Sequence, residues 1–235
     1  TDIESYASRL GVVADHKVSD SLEAVFRFEW DVNVTEQDND GSKDGNLTAR
    51  DQYMGLKGKF GEVMIGRMDT TMKKSENQVD VMNDFSADIK VLFNGENRLG
   101  DSIRYESPLM GEVKFLITYV AKENSKQNDE NGISAAVTYG DSKLKRTNVY
   151  LSIARDEKVA GYTITRLTGQ FQLGDLMLGG MYQESEKDAD GTDGDGYMLS
   201  AAYKIDDYKL LAQYQHSDMV FGKLKDTGDA ASLGI

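Results

Sequence analysis

The sequence predicts an all-β protein, an antiparallel transmembrane β-barrel, with about twelve full strands in this chain and the start of another. Three observations carry the prediction. Apolar and polar residues alternate with a period of two in one segment after another. Several segments run to about ten residues, the ~9–11 that a membrane-spanning strand needs, against a mode of ~5–6 in soluble sheets. The connections alternate between short and long, the layout of outer-membrane barrels. A spanning helix is excluded, because the longest apolar stretch, 115–121, already contains Thr118 and a bilayer needs roughly 20 apolar residues.

The alternating segments, in order, are 5–18, 24–34, 47–58, 62–70, 98–106, 112–122, 133–141, 147–156, 162–173, 176–184, 197–205 and 208–216. A thirteenth begins at Ala230. In 24–34, Phe26, Phe28, Trp30, Val32 and Val34 share one face, opposite Arg27, Glu29, Asp31 and Asn33. In 98–106, Leu99, Ile103 and Tyr105 oppose Arg98, Ser102, Arg104 and Glu106. In 112–122, Val113, Phe115, Ile117 and Tyr119 oppose Glu112, Lys114, Thr118 and Lys122. The apolar faces suit lipid and the polar faces a wet lumen. Arg27, Glu29, Asp31, Arg104 and Lys114 are therefore expected to face the pore.

Short connections fall near 18–21, 59–61, 108–111, 141–146, 174–175 and 206–207. The other set, 35–46, 71–97, 123–132, 185–196 and 217–229, is long, with one short exception near 157–161. The first segment runs into a short turn and so descends from the long-loop side. An even strand number then calls for a preceding rising strand, and for at least fourteen strands in all.

Composition narrows the function. Against 27 Lys and Arg stand 40 Asp and Glu, a formal charge of −13. Segments 35–46 and 184–196 together carry −8 of it, so much of the charge lies in loops. The acidic balance argues against nucleic acid, which needs a basic field. There is no cysteine, and two histidines leave little for a zinc site or a His-based hydrolase. His216, Ser217 and Asp218 are adjacent, but neighbouring strand residues point to opposite faces, so no catalytic residues are assigned. Asp40, Ser42, Asp44 and Gly45, with Leu47 and Asp51, loosely follow calcium-loop spacing, but no helical pattern flanks them. The tract 188–196 reads as a flexible acidic loop with weak appeal for divalent ions. No metal site and no cofactor are assigned.

The residues then carry a resemblance. "SRLGV" at 8–12, "FRFEWDV" at 26–32, "YMGLKGKFGEVMIGR" at 53–67 and "NRLGDSIRYESP" at 97–108 resemble the general diffusion porins of Gram-negative bacteria. "ISAAVTYGD" and "GYMLSAAYK" fit that family's later strands. The resemblance implies a sixteen-stranded barrel, usually a homotrimer, in the outer membrane, in contact with bilayer and lipopolysaccharide. It implies a water-filled channel for passive diffusion of small hydrophilic solutes and ions, with the third loop folded into the pore. By that comparison residues 1–235 form a single barrel domain lacking its first strand and its C-terminal strands. The 71–97 segment lacks the Pro-Glu-Phe-Gly-Gly run of enterobacterial members.

The resemblance also implies site residues. Arg9, Arg67 and Arg98 sit where the family places an arginine wall. Arg67 shares parity with the lipid-facing Val63 and Ile65, and a bulge at Gly66 would turn it inward. The 71–97 loop has apolar residues of its own, among them Val79, Met82, Ile89 and Phe93, and so the means to pack against the wall. Asp80, Asp84 and Asp88 recur at spacing four, suggesting one face of a short helical turn opposite the arginines. The competing reading is a soluble β-sandwich binding module, lectin- or adhesin-like, with acidic loops. Long strands, the connection rhythm and aromatic residues near strand ends (Trp30, Tyr53, Tyr105, Tyr119, Tyr139, Tyr203) favour the membrane.

Overall fold

The computed structural model describes residues 5, 7–35, 46–124, 126–127, 129–219 and 227–235. Most of the 35–46 loop, and with it the calcium-like spacing from Asp40 to Gly45, lies outside the described residues.

Thirteen strands form one sheet in strict sequence order, each antiparallel to the next. They are β1 (Arg9–Ser19), β2 (Leu22–Val32), β3 (Leu47–Gly58), β4 (Gly61–Asp69), β5 (Arg98–Glu106), β6 (Val113–Val120) and β7 (Gly132–Gly140). β8 (Val149–Val159), β9 (Tyr162–Leu173), β10 (Leu176–Lys187), β11 (Asp193–Ile205), β12 (Tyr208–Ser217) and β13 (Gly228–Gly234) follow. A sandwich requires two stacked sheets. A single meander of this breadth overturns that reading.

One face of the sheet presents large exposed apolar side chains from strand to strand, including Ile103, Phe115, Leu151, Ile153, Leu167 and Leu199. So continuous an apolar band is foreign to a water-soluble monomer and fits lipid. The opposite face is polar, and residues 70–97 lie across it. The buried core sits between that segment and the sheet. Val79, Ile89, Leu92 and Phe93 from the loop pack with Met181, Met198 and Met219, while Met72 packs with Ala136, Ala154 and Ile164.

Three expectations are corrected here. Leu99 does not share the lipid face with Ile103; it is fully buried on the inner face beside Val120 and Val159. Gly66 pairs with Ser102 but Met68 with Leu99, so Gly100 and Asp101 together oppose the single residue Arg67. That bulge, with Asp101 at φ 50°, reverses the parity of the start of β5. Tyr53 pairs with Arg27 and belongs to the inner wall, not to an outer aromatic girdle. The 185–196 connection is no long loop: β10 and β11 stay paired to Glu186 and Asp193, so the acidic residues Asp193 and Asp195 are strand residues.

Candidate functional site

The loop from Thr70 to Asn97 is closed at its neck, where the Thr70 N–H donates to the Asn97 carbonyl at 3.0 Å. Its first turn is the helix α1 (Thr71–Glu76). Thr70 starts it with an extended backbone and a hydroxyl that accepts from the Lys73 N–H, and Lys73 and Lys74 sit in the last turn, where the helix dipole favours cations.

From there the loop crosses the inner face strand by strand, each polar side chain of the wall taking a backbone group of the loop. The Met72 N–H donates to Ser134 Oγ on β7, at 2.8 Å. Tyr150 and Ser152 on β8 both donate to the Ser75 carbonyl, each at 2.9 Å. Ser200 Oγ on β11 donates to the Val79 carbonyl at 2.6 Å. On β12, the Val81 N–H donates to Gln213 Oε1 and Gln215 Nε2 donates to the Ala87 carbonyl. A buried loop backbone demands such partners. Two glycines let it lie flat. A Cβ on Gly179 would stand 2.8 Å from Val79 Cγ2, and one on Gly196 2.8 Å from Phe93 Cε1.

On the return, Arg166 of β9 clamps the loop. Its Nη1 lies 3.0 Å from Glu76 Oε2 and 2.7 Å from Glu96 Oε1, and Nη2 donates to the Asn94 carbonyl. The Arg166 side chain is fully buried. Burial, then the neighbouring Glu96 carboxylate, pushes the Glu76 carboxyl well above the ordinary glutamate range.

The wall formed by β1–β5 is different. There charges alternate in one chain that begins and ends on the loop. Asp84 meets Arg9 Nη2 at 2.8 Å, and Arg9 Nε lies 3.7 Å from Asp31. Asp31 meets Arg50 at 3.0 Å, Arg50 meets Glu29 at 2.7 Å, and Glu29 meets Arg27 at 2.7 Å. Arg27 lies 3.3 Å from Asp51, which meets Arg98 at 2.8 Å. Arg98 meets Asp69 at 2.9 Å, and Lys73 of α1 lies 3.5 Å from Asp69. Five cations and five carboxylates make the ladder charge-neutral. A second bulge builds its centre. Phe28 pairs with Gln52 but Trp30 with Ala49, so Arg50 and Asp51 both oppose Glu29 and both join the ladder.

The sequence-derived set of six is thus only partly brought together. Arg9 and Arg98 are ladder residues; Arg67 is not, and its Nε donates to the Ala49 carbonyl instead. Arg9, Arg67 and Arg98 share no common partner: Arg9 meets Asp84 and Asp31, Arg98 meets Asp51 and Asp69, and Arg67 meets the Ala49 carbonyl. Of the three loop acids, only Asp84 reaches an arginine of that set. Residues 80–88 form turns rather than a helix, so spacing four places the acids on no common face. Asp80 points into the loop's own core and accepts from the Met82 and Ile89 N–H groups and from Gln213 Nε2. Asp88 caps the 3-10 turn Ile89–Val91, accepting from the Lys90 N–H at 2.8 Å. Of the other expected pore-facing residues, Arg27, Glu29 and Asp31 are in the ladder. Arg104 and Lys114 flank Glu106 instead, at 3.1 and 2.6 Å. His216 Nδ1 lies 2.9 Å from Asp229, while Ser217 Oγ accepts from the Met219 N–H, so the two side chains serve different partners. Among the described residues, no group of three or more potential metal ligands occurs.

Arg50, Asp51 and Arg166 were missed as site residues. Arg166 shares the inward parity of Ile164 and Thr168, but its burial comes from the loop, which no local pattern reveals.

A family model of Gram-negative porins matches residues 1–235. The chain belongs to the Gram-negative porin family. A monosaccharide porin of Halomonas sp and a major outer membrane protein of Halomonas elongata are each 24% identical to it over 259 residues, which cover 98% of this chain and 70% of theirs. An anion-selective porin from Comamonas acidovorans superposes with a TM-score of 0.71 at 21% identity, over 89% of this chain and 68% of that one. This porin is therefore an outer-membrane diffusion channel of a Gram-negative bacterium, from a family of channels rather than enzymes. In the porin, the face with Ile103 and Phe115 is the lipid face, and the ladder and loop line the aqueous side.

Proposed function

We propose that the porin conducts small hydrophilic solutes and ions through the gap between the β1–β5 ladder and the inward loop. One observation supports this above the rest: Arg9, Asp31 and Arg27 of the ladder keep side chains 33, 44 and 36% exposed, whereas inner-face residues of β6–β12 such as Thr118, Ser134, Arg166, Gln183 and Gln213 are buried. The wall cations are matched by wall carboxylates, so the gap sorts by size and polarity more than by sign of charge. Paired charges at its edge still order water and disfavour apolar solutes. No catalytic step belongs to this arrangement.

The working unit is a homotrimer in the bilayer and its lipopolysaccharide leaflet, with the outward row Phe26, Phe28 and Trp30 supplying flat apolar area for subunit contact. Liposome swelling with sugars of graded size, alongside zero-current potentials in a KCl gradient, tests the channel reading. Permeation should fall steeply with solute size while the potential stays close to zero. Size-independent swelling, or near-ideal selectivity for one ion, would overturn it. A single-subunit mass in mild detergent would remove the trimer.

A further inference from the structure

At the short-turn end of the sheet, apart from the ladder, a cleft of about 400 Å3 opens beneath α1. It is lined by Lys57, Lys74, Glu106, Lys114, Arg146 and Tyr150, among others. Three cations converge there on one carboxylate. Glu106, whose side chain is 3% exposed, lies 2.7 Å from Lys74 Nζ, 2.6 Å from Lys114 Nζ and 3.1 Å from Arg104 Nε. Arg104 is spent inward, its Nη1 donating to the Asp69 carbonyl. The two ammonium groups are not spent. Lys74 and Lys114 are 42% and 36% exposed, and an ammonium carries three donors.

The other acids of the cleft do not absorb the surplus. Asp141 accepts from the backbone N–H groups of Lys143, Lys145 and Arg146. Glu112, outside the lining, pairs with Arg146. Glu62 stands beside Glu106 across the β4–β5 pair, leaving the centre net positive even when it is counted. Burial, then the Arg104 guanidinium beside it, holds the Lys74 ammonium below the usual lysine range. A second anion would relieve that strain.

We propose that this cleft is a binding site for a small multivalent oxyanion, a phosphate or dicarboxylate group, held between the Lys74 and Lys114 ammonium groups. Phosphate and carboxylate oxygens are the natural acceptors for paired ammonium donors. The site lies at the short-turn mouth, which in outer-membrane barrels faces the periplasm. It concentrates anionic solutes there without making the ladder anion-selective.

The test uses the full-length porin in planar bilayers in KCl, with inorganic phosphate or succinate added to one side at a time. Addition on the short-turn side should reduce conductance in a saturable way, at about tenfold lower concentration than addition on the long-loop side. Lys74→Gln with Lys114→Gln should raise the half-blocking concentration about tenfold, and Lys74→Arg with Lys114→Arg should preserve it. Phosphorus NMR line broadening of phosphate by the detergent-solubilised protein supplies a readout independent of current. Equal block from both sides, or block unchanged in the glutamine pair, overturns the proposal. If the glutamine pair fails to assemble, sidedness in the parent and the arginine pair decides it. Response to phosphate alone or to succinate alone names the favoured class. Arg9→Gln and Arg98→Gln, which alter the ladder, should leave this block in place, so failure of the ladder reading and failure of this site are separable.

Discussion

Arg9 on the first strand holds both carboxylate oxygens of Asp84, each at 2.8 Å, from the tip of a loop whose neighbouring residues are anchored on β12. One side-chain pair therefore ties the beginning of the sheet to its far side through the loop. It also marks where the ladder meets the loop, at the long-loop mouth of the gap. Asp84 adopts φ 68° to reach it, a left-handed backbone that aspartate tolerates better than most residues.

Asp84→Ala should therefore free the loop tip without unfolding the porin. Both side chains are substantially exposed, so the pair contributes only ~0.2–1 kcal/mol. The expected result is wild-type heat resistance with increased open-channel current noise. Unaltered noise would show that the tip needs no such tie.

Arg50→Gln should move selectivity measurably. Arg50 joins Glu29 to Asp31, and its loss leaves both carboxylates a cation short. The zero-current potential in a KCl gradient should shift toward cations. Glu29→Gln should shift it the opposite way, since Arg27 and Arg50 then lose a shared anion. Shifts of the same sign in both variants would contradict the ladder.

Removing Arg166 strands two carboxylates, Glu76 and Glu96, in a dry site. Breaking a buried pair by deleting one partner costs about 3–5 kcal/mol. Arg166→Met should lower the temperature at which the folded band disappears in a heat-modifiability gel, and it should widen the channel. The triple change Arg166→Met, Glu76→Gln, Glu96→Gln should recover much of the loss.

Mild acid should tighten the loop. The folded pKa of Glu76 lies above its unfolded value, through burial and then Glu96. Its contribution is fully present below the unfolded pKa and is lost as the pH rises through the folded one. Hydrogen exchange of the loop amides should therefore slow as the pH falls through the raised folded pKa toward the unfolded one, after correction for intrinsic exchange rates. Glu76→Gln, which copies the protonated form, should flatten that dependence.

The lipid-face assignment makes its own demand. Phe28→Arg places a charge toward lipid at a cost of about 2–4 kcal/mol near the midplane and should hinder assembly. Arg27→Ala, on the opposite face, should assemble and alter only ion flow. Equal assembly of the two variants would refute the assignment.

These faces were legible in the sequence because period two survives wherever pairing is regular. The run Phe26, Phe28, Trp30 against Arg27, Glu29, Asp31 needs nothing beyond local pattern. Leu99 was misread, and Arg50 and Asp51 were missed, because a bulge shifts register by one residue, and that shift is settled by the partner strand. Asp80, Asp84 and Asp88 were misread for another reason. Their spacing suited a helix, but their carboxylates cap turns or answer distant glutamine and arginine side chains. Ser134, Ser200 and Gln213 carried no local signal of their role, because the backbone they hold lies 62, 121 and 132 residues away.

Those same separations order events in time during biogenesis. The floor on which the loop rests includes β11 and β12, which leave the ribosome long after residues 70–97. Until those strands pair, Val79, Ile89 and Phe93 lack the cover of Met198 and Met219, and contacts of such high sequence separation form late. A partly assembled barrel therefore carries an exposed, sticky segment where the finished one carries a sieve, so periplasmic chaperoning must span the whole interval. The pore is built wide and acquires its narrowing last.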